Sequence, residues 1–260
     1  MNAKIVLITG ATSGIGRATA RLLAEREYAL ILTGRRQDRL DAIKEELSSS
    51  YKASIITRCF DVRNYESCLD AVHSLPPEWS HIDVLINNAG LALGLDLIQD
   101  GQLEHWETMI DTNIKGLLYM TKLISPGMTE RKSGHIINIC STAGKETYPK
   151  GNVYCATKFA VDALTKSIRQ DLYTYNIRVS QVSPGHVEET EFAINRFEGN
   201  RERANIYSDF NPLKAEDVAH CIGYILSVPA HVAIHDIVLT GTQQASATLV
   251  NRTGRIFDKQ

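Results

Sequence analysis

Short apolar runs recur along the chain, with amphipathic stretches between them. "KIVLIT" (4–9), "YALILT" (28–33), "ASIITRCF" (53–60), "IDVLIN" (82–87), "HIINIC" (135–140), "IRVSQVS" (177–183) and "DIVLT" (236–240) have the length and the Val/Ile/Leu content of strands. Most are near-continuous rather than alternating, the pattern of strands covered on both faces. Segments 15–25, 36–48, 64–74 and 153–175 carry helical periodicity. Strand–helix alternation throughout predicts an α/β fold, a parallel sheet covered by helices on both sides. No Gly/Ser/Pro-rich linker and no internal repeat interrupts the chain, so residues 1–260 read as one domain.

The pattern breaks once. Residues 186–212, "HVEETEFAINRFEGNRERANIYSDFNP", are polar and charged. An insertion there follows the sixth strand and sits at the carboxyl edge of the sheet, where open α/β sheets bind ligands. The plain alternative is a solvated pair of surface helices.

Composition narrows the function classes. A chain of 260 residues, 43% hydrophobic, can bury a sizeable core. A net charge of −2 gives no electrostatic reason to expect nucleic acid or an anionic membrane as partner. No apolar run approaches the roughly 18 residues of a membrane helix. "MNAKIVLITG" enters a strand pattern almost at once, so no signal peptide is expected. The five cysteines form no C-x-x-C pair and the histidines show no H-E-x-x-H spacing, so neither a disulfide framework nor a metal site is expected. The simplest compartment is the cytoplasm.

The first strand feeds "TGATSGIGRA" (9–18), which places Gly10, Gly14 and Gly16 at a strand-to-helix turn. Glycine lets backbone bend tightly and approach a ligand closely. The helix N-terminus that follows offers free N–H groups and a positive dipole end, a seat for pyrophosphate. The same turn can be purely structural. The second strand ends "LTGRR" (32–36), where a dinucleotide site often has a carboxylate for the ribose hydroxyls. Arg35 and Arg36 instead suit a 2′-phosphate, so the residues predict NADP(H) over NAD(H). Asp61, at the end of the third strand, is a candidate acceptor for the adenine amino group. Ala89 and Gly90, in "NNAG" (87–90), would let a flat cofactor lie against backbone.

"NVYCATKFAV" (152–161) puts Tyr154 and Lys158 four residues apart, on one face of the predicted helix. A free tyrosine titrates near pH 10, and a neighbouring ammonium favours the phenolate and lowers that value. The pair therefore reads as an acid–base group with its tuner. "HIINIC" runs into Ser141, whose hydroxyl is placed to hold a substrate oxygen. Asn113 falls in a predicted helix, where a polar amide is a weak choice. Taken alone, Y-x-x-x-K is common on exposed helix faces.

The glycine turn, "NNAG", Ser141 and Y-x-x-x-K, in this order, resemble the short-chain dehydrogenase/reductase family over essentially the whole chain. The glycine turn, N87-N-A-G90, Asn113, Ser141, Tyr154, Lys158 and P184-G185 carry the match. The resemblance implies a single-domain Rossmann-type doubly wound parallel sheet of about seven strands, with hydride exchange between a bound nicotinamide and a carbonyl carbon. It implies that Tyr154 exchanges the proton, Lys158 lowers its pKa and binds the nicotinamide ribose, and Ser141 orients the substrate oxygen. Asn113 is implied to hold a water linking Lys158 to solvent. The implied NADP contacts are Gly10, Thr12, Ser13, Gly14, Ile15 and Gly16, with Arg35, Arg36, Asp61 and Val62. Asn88, Ala89, Gly90, Tyr154, Lys158, Pro184, Gly185, Val187 and Thr190 complete them. A homotetramer is implied as well, packed through the helices on either side of Ser141 and the last strand.

"GLALG", "HWETMIDTN", "TEFAINRFEGN", "YPKGNVY" and "PAHVAIHDIVL" are similar to the NADP-dependent 3-hydroxy acid (serine/allo-threonine) dehydrogenase branch. That branch acts on short 3-hydroxy acids and the matching semialdehydes. Three stretches depart from it. Glu188 and Glu189 stand where small residues are expected, "TGTQQ" replaces a Met-Pro, and the tail "NRTGRIFDKQ" runs further than expected. A carboxylate substrate needs a cationic anchor, and Arg196, in "INRF" between apolar neighbours, is the leading candidate. Arg252 comes second, while Arg201 and Arg203 read as a solvated face. The alternatives are a general ketone or 3-oxoacyl reductase and, more distantly, a catalytically silent NADP-sensing regulator. A sugar epimerase shares Y-x-x-x-K but needs a larger substrate region than this chain supplies.

Overall fold

The computed structural model describes residues 3–258. Seven parallel strands form one sheet in the order β3-β2-β1-β4-β5-β6-β7. They are β1 (Ile5–Ile8), β2 (Ala29–Gly34), β3 (Ile55–Cys59), β4 (Ile82–Asn87), β5 (Gly134–Ile139), β6 (Ile177–Pro184) and β7 (Asp236–Leu239). Each lies within a residue or two of its sequence expectation. The strand order reverses between β1 and β4, and that switch point opens a crevice at the carboxyl ends of the strands.

The continuous apolar runs are explained by two cores, one on each face. Val6, Ile8, Leu30, Leu32, Ile86 and Val182 point to one side and pack with helices α1 (Gly14–Glu25), α2 (Gln37–Ser50) and, later in the chain, Ala215–Ser227. Leu7, Ile31, Leu85, Ile136 and Val179 point to the other. There they meet α3 (Tyr65–His73), the long helix that follows β4, and α6 (Asn152–Leu172). β7 is different: Asp236 and Val238 are exposed while Ile237 and Leu239 pack inward, so one of its faces is bare.

The helix after β4 runs as α4 (Leu103–Ile110), a π turn at Asp111–Lys115, and α5 (Gly116–Arg131). A π turn inserts an extra residue into the helical ladder and re-aims the side chains on it. Here Thr112 and Asn113 are turned inward and buried. The stretch 186–212 forms two short helices, α7 (Phe192–Arg196) and α8 (Arg201–Ala204), before α9 (Ala215–Ser227).

Candidate active site

A cleft of about 810 Å³ lies along the carboxyl edge of the sheet. Its floor at one end is the glycine-rich turn. Gly10 and Gly14 have φ of +66° and +51°, a region open to glycine at little cost. A Cβ on Gly16 would lie 2.3 Å from the Gly10 carbonyl oxygen and 2.5 Å from Asn88 Nδ2. Gly16 is therefore a packing requirement of helix against strand. It does not line the cleft, contrary to its expected role as a contact. Thr12, Ser13 and Ile15 do line it. Asn88 also borders the cleft, but its side-chain amide donates to the carbonyls of Thr9 and Gly10 (2.9 and 3.0 Å) and holds the turn in shape.

Arg35, Arg36, Asp61 and Val62 border the same end of the cleft. The Asp61 carboxylate is gripped by Arg63, with Nε at 2.9 Å and Nη2 at 2.7 Å, and Arg35 stands 4.0 Å away. Partial burial alone would raise the Asp61 pKa, yet the Arg63 bonds hold it below the ordinary value. Asp61 is thus held ionised by Arg63 at the cleft border. Arg63 is a third cation at this end that the sequence reading passed over, although it stands two residues after Asp61. Arg36 Nη2 donates to Thr12 Oγ1 at 3.0 Å and to Glu191 at 2.8 Å, and Arg39 also pairs with Glu191. Glu191 was not anticipated. No sequence pattern pairs a residue after β6 with the start of α2.

Across the cleft, α6 presents Tyr154 and Lys158, both buried. Ala89 and Gly90 face them from the end of β4; a Cβ on Gly90 would lie 3.5 Å from Lys158 Nζ. Lys158 Nζ donates to the Ile139 carbonyl at 3.0 Å and lies 6.0 Å from the centroid of the Tyr154 ring. Burial pushes the Tyr154 phenol up from 10.0, the Tyr148 ring adds to this, and a hydrogen bond with Ser141 and the charge of Arg196 oppose it. Burial likewise lowers the Lys158 pKa. The physical reason is simple: both groups lose water, and the ammonium is directed past the ring to a carbonyl.

Ser141 sits at the end of β5, where its hydroxyl accepts from Ala143 N–H (3.1 Å) and donates to the Pro184 carbonyl (3.4 Å). Asn113 does not reach the cleft. Its Oδ1 accepts from Leu91 N–H at 2.9 Å, and its Nδ2 donates to the Leu91 carbonyl (2.8 Å) and Thr157 Oγ1 (3.0 Å). The side-chain amide ties the loop after β4 to α6.

Pro184, Gly185, Val187 and Thr190 follow β6 along the cleft wall. Thr190 rests on the glycine turn: a Cβ on Gly14 would lie 3.1 Å from Thr190 Cβ. The segment then turns into α7 and delivers Arg196, only 8% exposed, to the catalytic end. Its guanidinium lies 5.6 Å from the Tyr154 ring centroid. Nε donates to the Gly94 carbonyl (3.2 Å) and Nη1 to the Tyr148 hydroxyl (3.0 Å), while the buried Nη2 has no partner. Two of its three guanidinium nitrogens are therefore engaged by the protein, and one is not. Arg252 borders the cleft but is paired with Asp209 at 2.6 Å. Tyr148 and His186, missed in the sequence, complete this wall.

Residues 4–201 match the family model described as short chain dehydrogenase. The NADP-dependent 3-hydroxy acid dehydrogenase YdfG of Salmonella typhi is 46% identical over 246 residues, 94% of this chain and 98% of that protein. Sulfoacetaldehyde reductase 2 of Chromohalobacter salexigens is 44% identical over 251 residues, 95% of this chain and 98% of that one. The closed form of serine dehydrogenase complexed with NADP+ superimposes with a TM-score of 0.89 at 44% identity, covering 95% of this chain and 98% of that one.

Proposed function

The chain belongs to the short-chain dehydrogenase family, and from that premise we propose that it is an NADP-dependent oxidoreductase acting on a short 3-hydroxy acid or the matching 3-oxo acid or semialdehyde. The observation that carries this reading is the convergence of Tyr154, Ser141 and the buried Arg196 on one end of a cleft whose other end is a glycine turn bordered by Arg35 and Arg36.

The cofactor end fits NADP. The left-handed Gly10 and Gly14 leave room where a Cβ would intrude, and the N-terminus of α1 directs free N–H groups into the cleft. Arg35 and Arg36 supply charge for a 2′-phosphate, with Arg63 behind Asp61. When bound there, NADP(H) supplies the hydride acceptor or donor. The protein's own side chains do the rest. Arg196 Nη2 holds the substrate's anionic group, which fixes the carbonyl or alcohol oxygen near Ser141 and Tyr154. Ser141 donates to that oxygen. Tyr154, buried at this end of the cleft with a hydrogen bond to Ser141, is the group placed to exchange the proton of that oxygen. Lys158 braces β5 against α6 through Ile139 and borders the cleft beside Gly90.

The named substrates of the relatives support an anionic substrate, one being a hydroxy acid and another a sulfo-aldehyde. A homotetramer agrees with the bare face of β7, where Val238 is 54% exposed, and with the exposed Leu103 and Leu118 on α4 and α5. The cytoplasm agrees with five free cysteines. Among the described residues no helix is long and apolar enough to cross a membrane.

The test is a nicotinamide-absorbance assay with 3-hydroxy acids, their semialdehydes, sulfoacetaldehyde and neutral alcohols of equal size, each with NADP(H) and NAD(H). Turnover of the anionic compounds with NADP(H) is expected. Turnover of neutral ketones alone would replace this reading with a general carbonyl reductase, and binding of NADP(H) without turnover of anything would leave the sensor.

A further inference from the structure

Two features that separate this chain from the 3-hydroxy acid branch, the acidic pair after Pro184-Gly185 and the long tail, meet in space. Arg255 in the tail holds the Glu188 carboxylate through both terminal nitrogens, at 2.7 and 2.8 Å. The Glu188 side chain is only 13% exposed, so its charge depends on that partner. Its neighbour Glu189 has φ of +56°, a left-handed conformation better suited to glycine, and pairs with Lys214 at 3.3 Å. The strained turn is thus held from both sides by ion pairs.

The tail is itself anchored. Gln243 Nε2 donates to the carbonyls of Asn251 (3.1 Å) and Gly254 (3.0 Å), and its Oε1 accepts from Asn211 N–H at 2.9 Å. Gly254 N–H donates to the Asp209 carbonyl at 2.9 Å, and Phe257 N–H to Asn211 Oδ1 at 3.0 Å. Gln244 Oε1 accepts from His186 N–H at 2.9 Å. The glutamines of "TGTQQ", the third departure, therefore tie the tail and the segment after β6 together.

We propose that residues 249–258 are a strap that sets the substrate mouth, with Arg255 as a positioning residue acting through Glu188. The segment it fixes carries Thr190 onto the glycine turn and Arg196 to the Tyr154 ring. Arg255 touches neither Tyr154 nor Ser141. The strap orders the wall that presents the anionic anchor, so it acts on substrate affinity more than on the chemical step. This rests on the reading of an anionic substrate, but the strap itself does not.

Amide hydrogen exchange over 186–199 and steady-state kinetics test it with Arg255→Gln, Glu188→Gln, the double variant and Arg255→Lys. In Arg255→Gln, faster exchange in that segment is expected, with KM for the 3-hydroxy acid raised about fivefold, the order an ion pair of this exposure supports. The kcat should stay within about twofold, Arg255→Lys should fall between, and the double variant should be no worse than Arg255→Gln, because the two residues act as one unit. Unchanged exchange overturns the strap. Faster exchange with unchanged KM overturns its positioning role, as does a fall in kcat equal to the rise in KM. Exchange needs no substrate, so failure of the 3-hydroxy acid reading shows up separately, as absent turnover in the unmodified protein.

Discussion

Replacing Arg196 by methionine isolates the charge that the site offers to a substrate. The side chain is 8% exposed, and three of its nitrogens face defined surroundings: Gly94, Tyr148 and an unpartnered Nη2. Only Nη2 is free, so a single charge-assisted contact is at stake, worth about 1.5–3 kcal/mol. That corresponds to a loss of roughly 10- to 150-fold in kcat/KM for a 3-hydroxy acid. The bonds to Gly94 and Tyr148 are structural and disappear as well, which lowers stability and disturbs the wall for every substrate. The informative quantity is therefore a ratio. The acid and a neutral alcohol of the same size are compared in both proteins, with NADP+ saturating, and the structural part cancels. A specific loss for the acid is expected. If acid and alcohol suffer alike, Arg196 supports the wall and holds no anion.

Three further outcomes follow from the same geometry. Tyr154→Phe keeps the buried ring but removes the proton donor, so turnover should fall by at least about 100-fold while NADP(H) binding, followed by fluorescence, survives; near-normal turnover would exclude the mechanism. Replacing Arg35 and Arg36 by alanine should weaken NADP(H) about tenfold or more and spare NAD(H), since each charge-assisted bond to the 2′-phosphate contributes about 1.5–3 kcal/mol; equal losses in a binding titration would give these arginines a structural role only. In acid, two carboxylates should set the midpoint. Burial would raise both, but Arg36 and Arg39 bring Glu191 from 4.5 down to about 2, and Lys145, Lys166 and Gln181 bring Asp162 from 3.8 down to about 2. Each depressed group adds stability that is complete above its ordinary value and is lost as pH falls towards about 2. A denaturant series between pH 5 and pH 2 should therefore show Glu191→Gln and Asp162→Asn with flatter pH dependence than the unmodified protein.

The sheet was legible because its strands are buried on both faces, and a run such as "KIVLIT" has few other uses. The glycine turn and the Tyr154–Lys158 spacing were legible because each is local, contained within one turn and one helix. What escaped was set by contacts between distant segments. Glu191 meets Arg36 across 155 positions, and Glu188 meets Arg255 across 67. Asn113 was found, but the π turn that directs its amide to Leu91 and Thr157 was not, because no apolar periodicity announces one. Lys158 was placed correctly on its face, yet the bond to Ile139 depends on how β5 lies under α6. Arg196 was picked out by its apolar neighbours, and burial followed from them, but the bonds to Gly94 and Tyr148 that consume most of its fork came only with the fold.

Thr190 packed on the glycine turn and Glu191 joined to Arg36 and Arg39 mean that one short stretch roofs the nucleotide groove and, a few residues later, supplies Arg196. An ordered reaction is the expected kinetic consequence. A substrate anion that engaged Arg196 first would pin the roof over an empty groove and shut the nucleotide out. The productive order is nucleotide first and acid second, with the acid's oxidised product leaving before the reduced nucleotide. Product-inhibition patterns should accordingly be competitive between NADP+ and NADPH, and non-competitive between the hydroxy acid and NADPH. At high concentration the hydroxy acid should slow its own oxidation by trapping the closed roof.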